Sequence, residues 1–273
     1  MSSSSVIDIS AIAAAVMTAR DGVQQIAPFS SSLAGFSLAD AYRVTPKVRQ
    51  LREAAGERVV GRKIGFTNRT IWDEFGVHAP IWGYVYDRTL GDLRMMGDGF
   101  SLARLSEPLI EPEIIFRLSA APDPDMDERD LLSCIAWVSH GFEIVQSIYP
   151  GWKFAPADTV AGFGLHGALL IGERHPIDGS ADAWLEQLHN FEITLMCGDT
   201  VVEGHSRNVL DGPLSALRHL VQVLAQDFVN PPLAPGEIIT TGTLTRALPI
   251  KPGETWTTRL SGVPLAGASI RFC

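Results

Sequence analysis

Two glutamates two residues apart in an otherwise apolar run set the tightest constraint on how this chain can fold. The run is Leu109-Ile110-Glu111-Pro112-Glu113-Ile114-Ile115-Phe116. It is rich in β-branched residues and reads as a strand. Side chains alternate faces along a strand, so Glu111 and Glu113 share a face. Like charges side by side on a half-buried sheet repel, and burying them unpartnered is costly. Two arrangements resolve this. The strand can lie at a sheet edge with both glutamates in water, and Pro112 suits an edge. Alternatively the pair holds a divalent cation, and oxygen-only ligands favour a hard ion, Mg2+ or Mn2+, over zinc.

The 273 residues suffice to bury a substantial core, as one large domain or as a small plus a large one. The formal net charge is −9 and no basic run occurs, so a nucleic-acid partner is not expected. Cys134, Cys197 and Cys273 form an odd, scattered set without a CxxC, as expected of a reduced, cytoplasmic protein. No apolar run reaches the ~18 residues that would suggest a membrane span. The opening Met1-Ser2-Ser3-Ser4-Ser5-Val6-Ile7-Asp8 lacks the basic region of a signal peptide.

Residues 8–20 are predicted helical, capped by Asp8 or Ser10 and closed at Asp21-Gly22. Ser37-Leu38-Ala39-Asp40 has the form of a capping box and opens a second helix to about Ala55, which Pro46 should kink or divide. These helices suggest a small N-terminal subdomain or lid over 1–58, ahead of a catalytic domain over 59–273. In the larger part, strands are predicted at 59–65 and 81–86, with a short helix capped by Thr67 between them. Residues 128–139 look like a buried helix, and His140–Val145 returns as a strand carrying an isolated carboxylate, Glu143. Strands dominate the second half, at 165–171, 191–196, 237–241, 254–260 and 265–272, with a hairpin at Cys197-Gly198-Asp199-Thr200 and a helix opened by Pro213. Strands that do not alternate regularly with helices point to an α+β, mixed-β fold rather than a doubly wound one. No GxGxxG follows a strand, and no P-loop or GxSxG elbow occurs.

Lys63, in the glycine-bracketed strand Val59-Val60-Gly61-Arg62-Lys63-Ile64-Gly65, is one of only four lysines against eighteen arginines. Where positive charge alone is needed, this chain uses Arg. A Lys among apolar and glycine neighbours can be desolvated and its pKa lowered, which suits proton transfer. Equally, Lys63 can snorkel to the surface from a strand end.

Several pieces then align in order and spacing from about residue 8 onward. They are Ala41-Tyr42, Val60 to Thr67, Glu111 to Phe116, Glu143-Ile144-Val145, Trp152 with Asp158-Thr159-Val160-Ala161, and Thr241-Gly242. In these the chain resembles the 2-keto-4-pentenoate hydratase and 4-oxalocrotonate (2-oxo-3-hexenedioate) decarboxylase branch of the fumarylacetoacetate hydrolase superfamily. The lysine strand and the ExE…E set are its specific parts. The resemblance implies a mixed-β, roll-like core with a small helical N-terminal part, and a homo-oligomer. It implies that Glu111, Glu113 and Glu143 hold one Mg2+ or Mn2+, that Lys63 is the acid/base, and that Thr241 contacts the substrate carboxylate. The substrate would be a small unsaturated 2-oxo or 2-hydroxydienoic acid, chelated so that a dienolate is stabilised. The activity first expected is that of a lyase, a hydratase of aromatic-compound catabolism. The alternatives are a decarboxylase, then a C–C bond hydrolase, then a non-catalytic oxo-acid-binding subunit.

The chain departs from the family pattern twice. Ile81 stands where the family usually has Asp after the proline, and a bulky His166 replaces a small or serine residue. Ile81 cannot move a proton and should make the distal, substrate-binding end of the pocket drier, favouring a longer or apolar-ended substrate. The second proton-transfer group must then lie elsewhere. His78, three residues earlier on the same loop, is the first choice, with Asp73, His140 and His166 as further candidates.

Overall fold

The computed structural model describes residues 7–273; the Ser2–Ser5 run, and with it most of the start read for a signal sequence, lies outside them. Asp8 caps α1 (Ile9–Asp21), accepting the Ser10 and Ala11 N–H groups at 3.0 Å. Ser37 and Asp40 form a reciprocal capping box on α2 (Leu38–Ala54). Pro46 does not divide α2. Ala41, Val44, Thr45 and Val48 bury one continuous face, and that packing outweighs the single missing N–H bond. Both helices share a core with Ile81, Tyr149 and Val160. Tyr42 also stacks on Trp82, with ring centroids 5.5 Å apart, and its hydroxyl accepts the Trp82 N–H at 3.3 Å.

The chain continues through β1 (Val59–Gly65), α3 (Trp72–Phe75), β2 (Ile81–Tyr86), β3 (Leu90–Asp92), β4 (Leu109–Leu118), α4 (Glu128–Ser133) and β5 (Ile135–Val145). Then follow α5 (Pro156–Ala161), β6 (His166–Pro176), α6 (Ala181–His189), β7 (Glu192–Cys197), β8 (Thr200–His205) and α7 (Pro213–Ala225). The last strands are β9 (Ile238–Thr243), β10 (Leu248–Pro249), β11 (Thr255–Ser261) and β12 (Ser269–Arg271). Eight strands form a mixed sheet in the order β2-β1-β9-β4-β5-β6-β3, with β10 also on β4; a second sheet runs β12-β11-β7-β8. Pairs β1–β9 and β3–β6 are parallel and the rest are antiparallel. The architecture is α+β with a mixed-β core, as expected. Among the described residues, no helix is long and apolar enough to cross a membrane.

Other local readings change as well, and the strand expected over 265–272 is confined to Ser269–Arg271. The carboxylate strand β4 is internal, between β9 and β5. Pro112 is tolerated there because it lies where β4 passes from pairing with β9 to pairing with β10, and its carbonyl accepts the Leu244 N–H at 2.9 Å. The helix expected over 128–139 stops at Ser133. Residues from Ile135 onward pair with β4 (Val138 opposite Phe116, Trp137 opposite Arg117), so sheet pairing overrides local helical pattern. Asn68, not Thr67, caps the turn before α3, accepting the Thr70 N–H at 3.0 Å.

Arg52 of α2 is buried, its guanidinium 3.6 Å from the centre of the Tyr86 ring and 2.6 Å from the buried Glu57 carboxylate. Removing that carboxylate strands the cation. Glu57→Ala should therefore cost about 3–5 kcal/mol of unfolding free energy in urea titration. A loss below about 1 kcal/mol, the value of an exposed pair, would show that the ring and solvent compensate the charge.

Candidate active site

Antiparallel register puts Glu111 directly opposite Glu143 across β4 and β5, with Glu113 two residues further along the same face. One carboxylate oxygen from each lies within 4.8 Å of the others. Glu113 and Glu143 are fully buried. Glu113 Oε2 accepts the Thr240 hydroxyl and, at 2.8 Å, the Gly242 N–H. Glu143 Oε1 accepts from His166 Nδ1 at 2.8 Å. That leaves Glu113 Oε1 and Glu143 Oε2 buried without a hydrogen-bond donor. Unsatisfied carboxylate oxygens facing one another in an all-oxygen donor set fit a hard divalent cation.

Lys63 reaches this cluster from β1, two strands away from β4. Its Nζ donates to the Gly164 carbonyl at 2.9 Å and lies 3.3 Å from Glu143 Oε2, a charge contact rather than a hydrogen bond. Lys63 is buried and does not snorkel. Burial would lower its pKa, but Glu143, Glu111 and Glu113 together hold it above the ordinary lysine value. The direction is opposite to that expected from desolvation alone. Burial pushes the Glu111 carboxyl up to about 7, against the pull of Lys63 and with Glu143 adding to the rise. Burial and then the two other carboxylates raise Glu113 well above its usual range. Burial acts the same way on Glu143, yet Lys63 and His166 bring it below.

The cluster opens through Glu111 into a cavity of about 560 Å³. Ile81 lines it with Ile71 and Leu165, and Thr67, Thr243, Lys153 and Arg246 add polar groups. The Thr67 and Thr243 hydroxyls are buried without a partner. Thr241 does not line the cavity; its hydroxyl donates to the Ile114 carbonyl at 3.0 Å. Gly242, at φ +101°, breaks the strand alternation, so Thr243 takes the position expected of Thr241. Asp73, on α3, and His78, on the loop after it, are exposed and outside the lining. His140 is buried and spent on structure. Its Nδ1–H donates to the Glu113 carbonyl at 3.0 Å, so Nε2 accepts from the Thr258 hydroxyl at 2.7 Å, and burial pushes its pKa down to about 4.

No family model matches the chain. It is 31% identical to the 2-hydroxyhexa-2,4-dienoate hydratase of Comamonas testosteroni over 255 residues, 90% of each chain. Its fold matches the 4-oxalocrotonate decarboxylase of Pseudomonas putida G7, solved with magnesium and adipate, at a TM-score of 0.86 and 27% identity over 97% of each chain. A yeast fumarylacetoacetate hydrolase family protein, 13% identical and covering 77% of this chain and 91% of its own, shares the fold at a TM-score of 0.54. The chain belongs to the fumarylacetoacetate hydrolase superfamily, in its hydratase and decarboxylase branch.

Within this branch of the fumarylacetoacetate hydrolase superfamily, the two departures noted above have definite places. Ile81 is part of the cavity wall. His166 lies outside the lining, its Nδ1 on Glu143 and its Nε2 2.9 Å from the Thr89 hydroxyl, so both ring nitrogens are engaged within the protein rather than directed into the cavity. Spacing and pattern alone do not mark Thr243, Lys153 and Arg246 as cavity residues, and they mark Thr67 only as a helix cap and as part of the lysine-strand stretch. The only sequence signal for Thr243 was the glycine before it, which marks a break in strand alternation.

A Cβ on Gly242 would lie 1.8 Å from Thr67 Oγ1, whereas one on Gly76, at φ +60°, would meet nothing within 4 Å. Gly76→Ala should cost about 1–2 kcal/mol, the backbone conformation alone. Gly242→Ala adds overlap and should cost roughly 2–4 kcal/mol by urea denaturation. Equal losses would mean that Thr67 yields freely.

Proposed function

We propose that this chain is a divalent-metal-dependent lyase for a small unsaturated 2-oxo or 2-hydroxydienoic acid, acting first as a hydratase. The observation that carries this reading is the convergence of Glu111, Glu113 and Glu143 with buried Lys63 beside one deep cavity. The three glutamates would hold a hard dication, Mg2+ or Mn2+. Bound there, it would neutralise the carboxylates that keep Lys63 protonated and act as a Lewis acid toward the oxygens of a 2-oxo acid. Lys63, fixed by the Gly164 carbonyl, is the group that moves a proton at Nζ. The unpartnered Thr67 and Thr243 hydroxyls are donors for the substrate carboxylate. Ile81 keeps water from the distal end, in keeping with a six-carbon dienoate in the name of the 31% identical relative.

A decarboxylase reading has one specific support. Lys153 and Arg246 line the same cavity, where a second carboxylate would be attracted. Among the described residues, the Arg246 guanidinium makes an exposed ion pair with Glu74 at 3.4 Å, which a substrate anion can displace. Turnover of 2-hydroxyhexa-2,4-dienoate and 2-oxo-3-hexenedioate with Mg2+ decides between them. A hydratase favours the first and is indifferent to Arg246→Ala. A decarboxylase favours the second and loses it in that variant.

Glu113→Gln should weaken Mn2+ binding by about 100-fold or more in calorimetric titration, since it removes a ligand outright. Unchanged affinity would put the metal elsewhere. Lys63→Arg keeps the charge but cannot titrate near neutrality, so it should bind Mn2+ and lose turnover. Full activity would contradict the proton-transfer role.

Metal binding should also depend on pH. Glu111, with its pKa raised to about 7, holds a proton below that pH, and a cation must displace it. Mn2+ affinity should therefore rise from pH 6 to pH 8 with net proton release, read by calorimetry in buffers of different ionisation heat. A flat profile would mean that Glu111 is not a ligand.

A further inference from the structure

A second cavity, of about 390 Å³, shares no lining residue with the first. Its size is within the range of small-ligand pockets. Leu90, Met96, Phe100, Leu105 and Leu170 give it an apolar wall, and arginines stand around that wall. Asp21 also lines the cavity, but its charge is met by Arg20 at 3.3 Å, and Arg20 in turn reaches Glu57 at 3.2 Å. Arg88 is different. It gives one N–H to the Ala55 carbonyl at 3.1 Å and has no carboxylate within ion-pair distance among the described residues. Arg104 likewise has none among the described residues, and both side chains belong to exposed residues. Two guanidinium groups without counter-charge, in a chain of net charge −9, are matched by an anion, and the wall beside them by an apolar body.

We propose that this cavity binds a small aryl or alkyl carboxylate through Arg88 and Arg104, and that its occupancy is felt at Glu143. The connection is short. Thr89 lines the cavity, its hydroxyl lies 2.9 Å from His166 Nε2, and His166 Nδ1 lies 2.8 Å from Glu143 Oε1. The Thr89 hydroxyl also lies 3.0 Å from the Tyr86 carbonyl, so a ligand that draws it away competes with that contact and removes one of the two bonds that orient the His166 ring, the other being its bond to Glu143. The coupling rests on the metal centre proposed above; the binding site does not.

Benzoate is a suitable probe, titrated into the Mg2+-loaded chain with saturating oxalate to fill the catalytic cavity. One benzoate per chain should bind, weakened about tenfold or more by Arg104→Glu and by Arg88→Glu, about 1.4 kcal/mol each. Arg218→Glu, an exposed charge reversal on α7 outside this cavity, should leave binding unchanged. Displacement of benzoate by oxalate, indifference to both charge reversals, or no binding at millimolar benzoate would overturn the site. Should the metal reading itself be wrong, oxalate will have no effect, and the two arginine variants still report. For the coupling, saturating benzoate should change Mn2+ affinity in the parent and not in Thr89→Val. An unchanged Mn2+ affinity in the parent would overturn it.

Discussion

Repulsion among three glutamates is the constraint around which the fold is arranged. Glu111 and Glu143 stand opposite one another on two internal strands, and Glu113 completes the group on the same face. In a sheet, like charges directly opposite are destabilising, and burial makes this worse. The protein supplies only partial relief: Lys63 beside Glu143, the Thr240 hydroxyl and Gly242 N–H on Glu113, and His166 on Glu143. Two carboxylate oxygens are still left without a donor. A fold that keeps such a cluster tolerates a loss of stability at the place where it gains chemistry.

The remaining elements hold that cluster in place. β9 sits between the lysine strand and the carboxylate strand, so one strand positions Lys63 relative to Glu113 and delivers Thr243 to the cavity. The N-terminal helices share a core with Ile81, so the cavity wall and the helical part are one packed unit. Tyr42 on Trp82 and Arg52 under Tyr86 tie the same helix to β2.

Much of this was legible in the residues. Period-two spacing put Glu111 and Glu113 on one face, the scarcity of lysine singled out Lys63, and the caps of α1 and α2 fell at Asp8, one of two candidates, and at Ser37. What escaped depended on contacts distant in sequence. Residues 135–139 form a strand because β4 needs a partner, which no local pattern states. Thr241 and Thr243 are told apart only by the conformation of Gly242, because a positive φ resets which side chain faces the cavity. His78 looked close to the site in sequence but turns to solvent, and His166 looked like a pocket residue but braces a glutamate. In both cases sequence distance stood in for a direction that only the packed chain defines.

The central claim is that these carboxylates jointly hold one cation that a 2-oxo acid can chelate. Crystals soaked with Mn2+ and pyruvate, measured for anomalous scattering, test it most directly. A single anomalous peak in contact with Glu111, Glu113 and Glu143 is expected, with pyruvate beside it and Lys63 Nζ facing the ligand. A peak at other residues, or pyruvate bound in the cavity with Lys63 bridging the carboxylates and no ion, would contradict it.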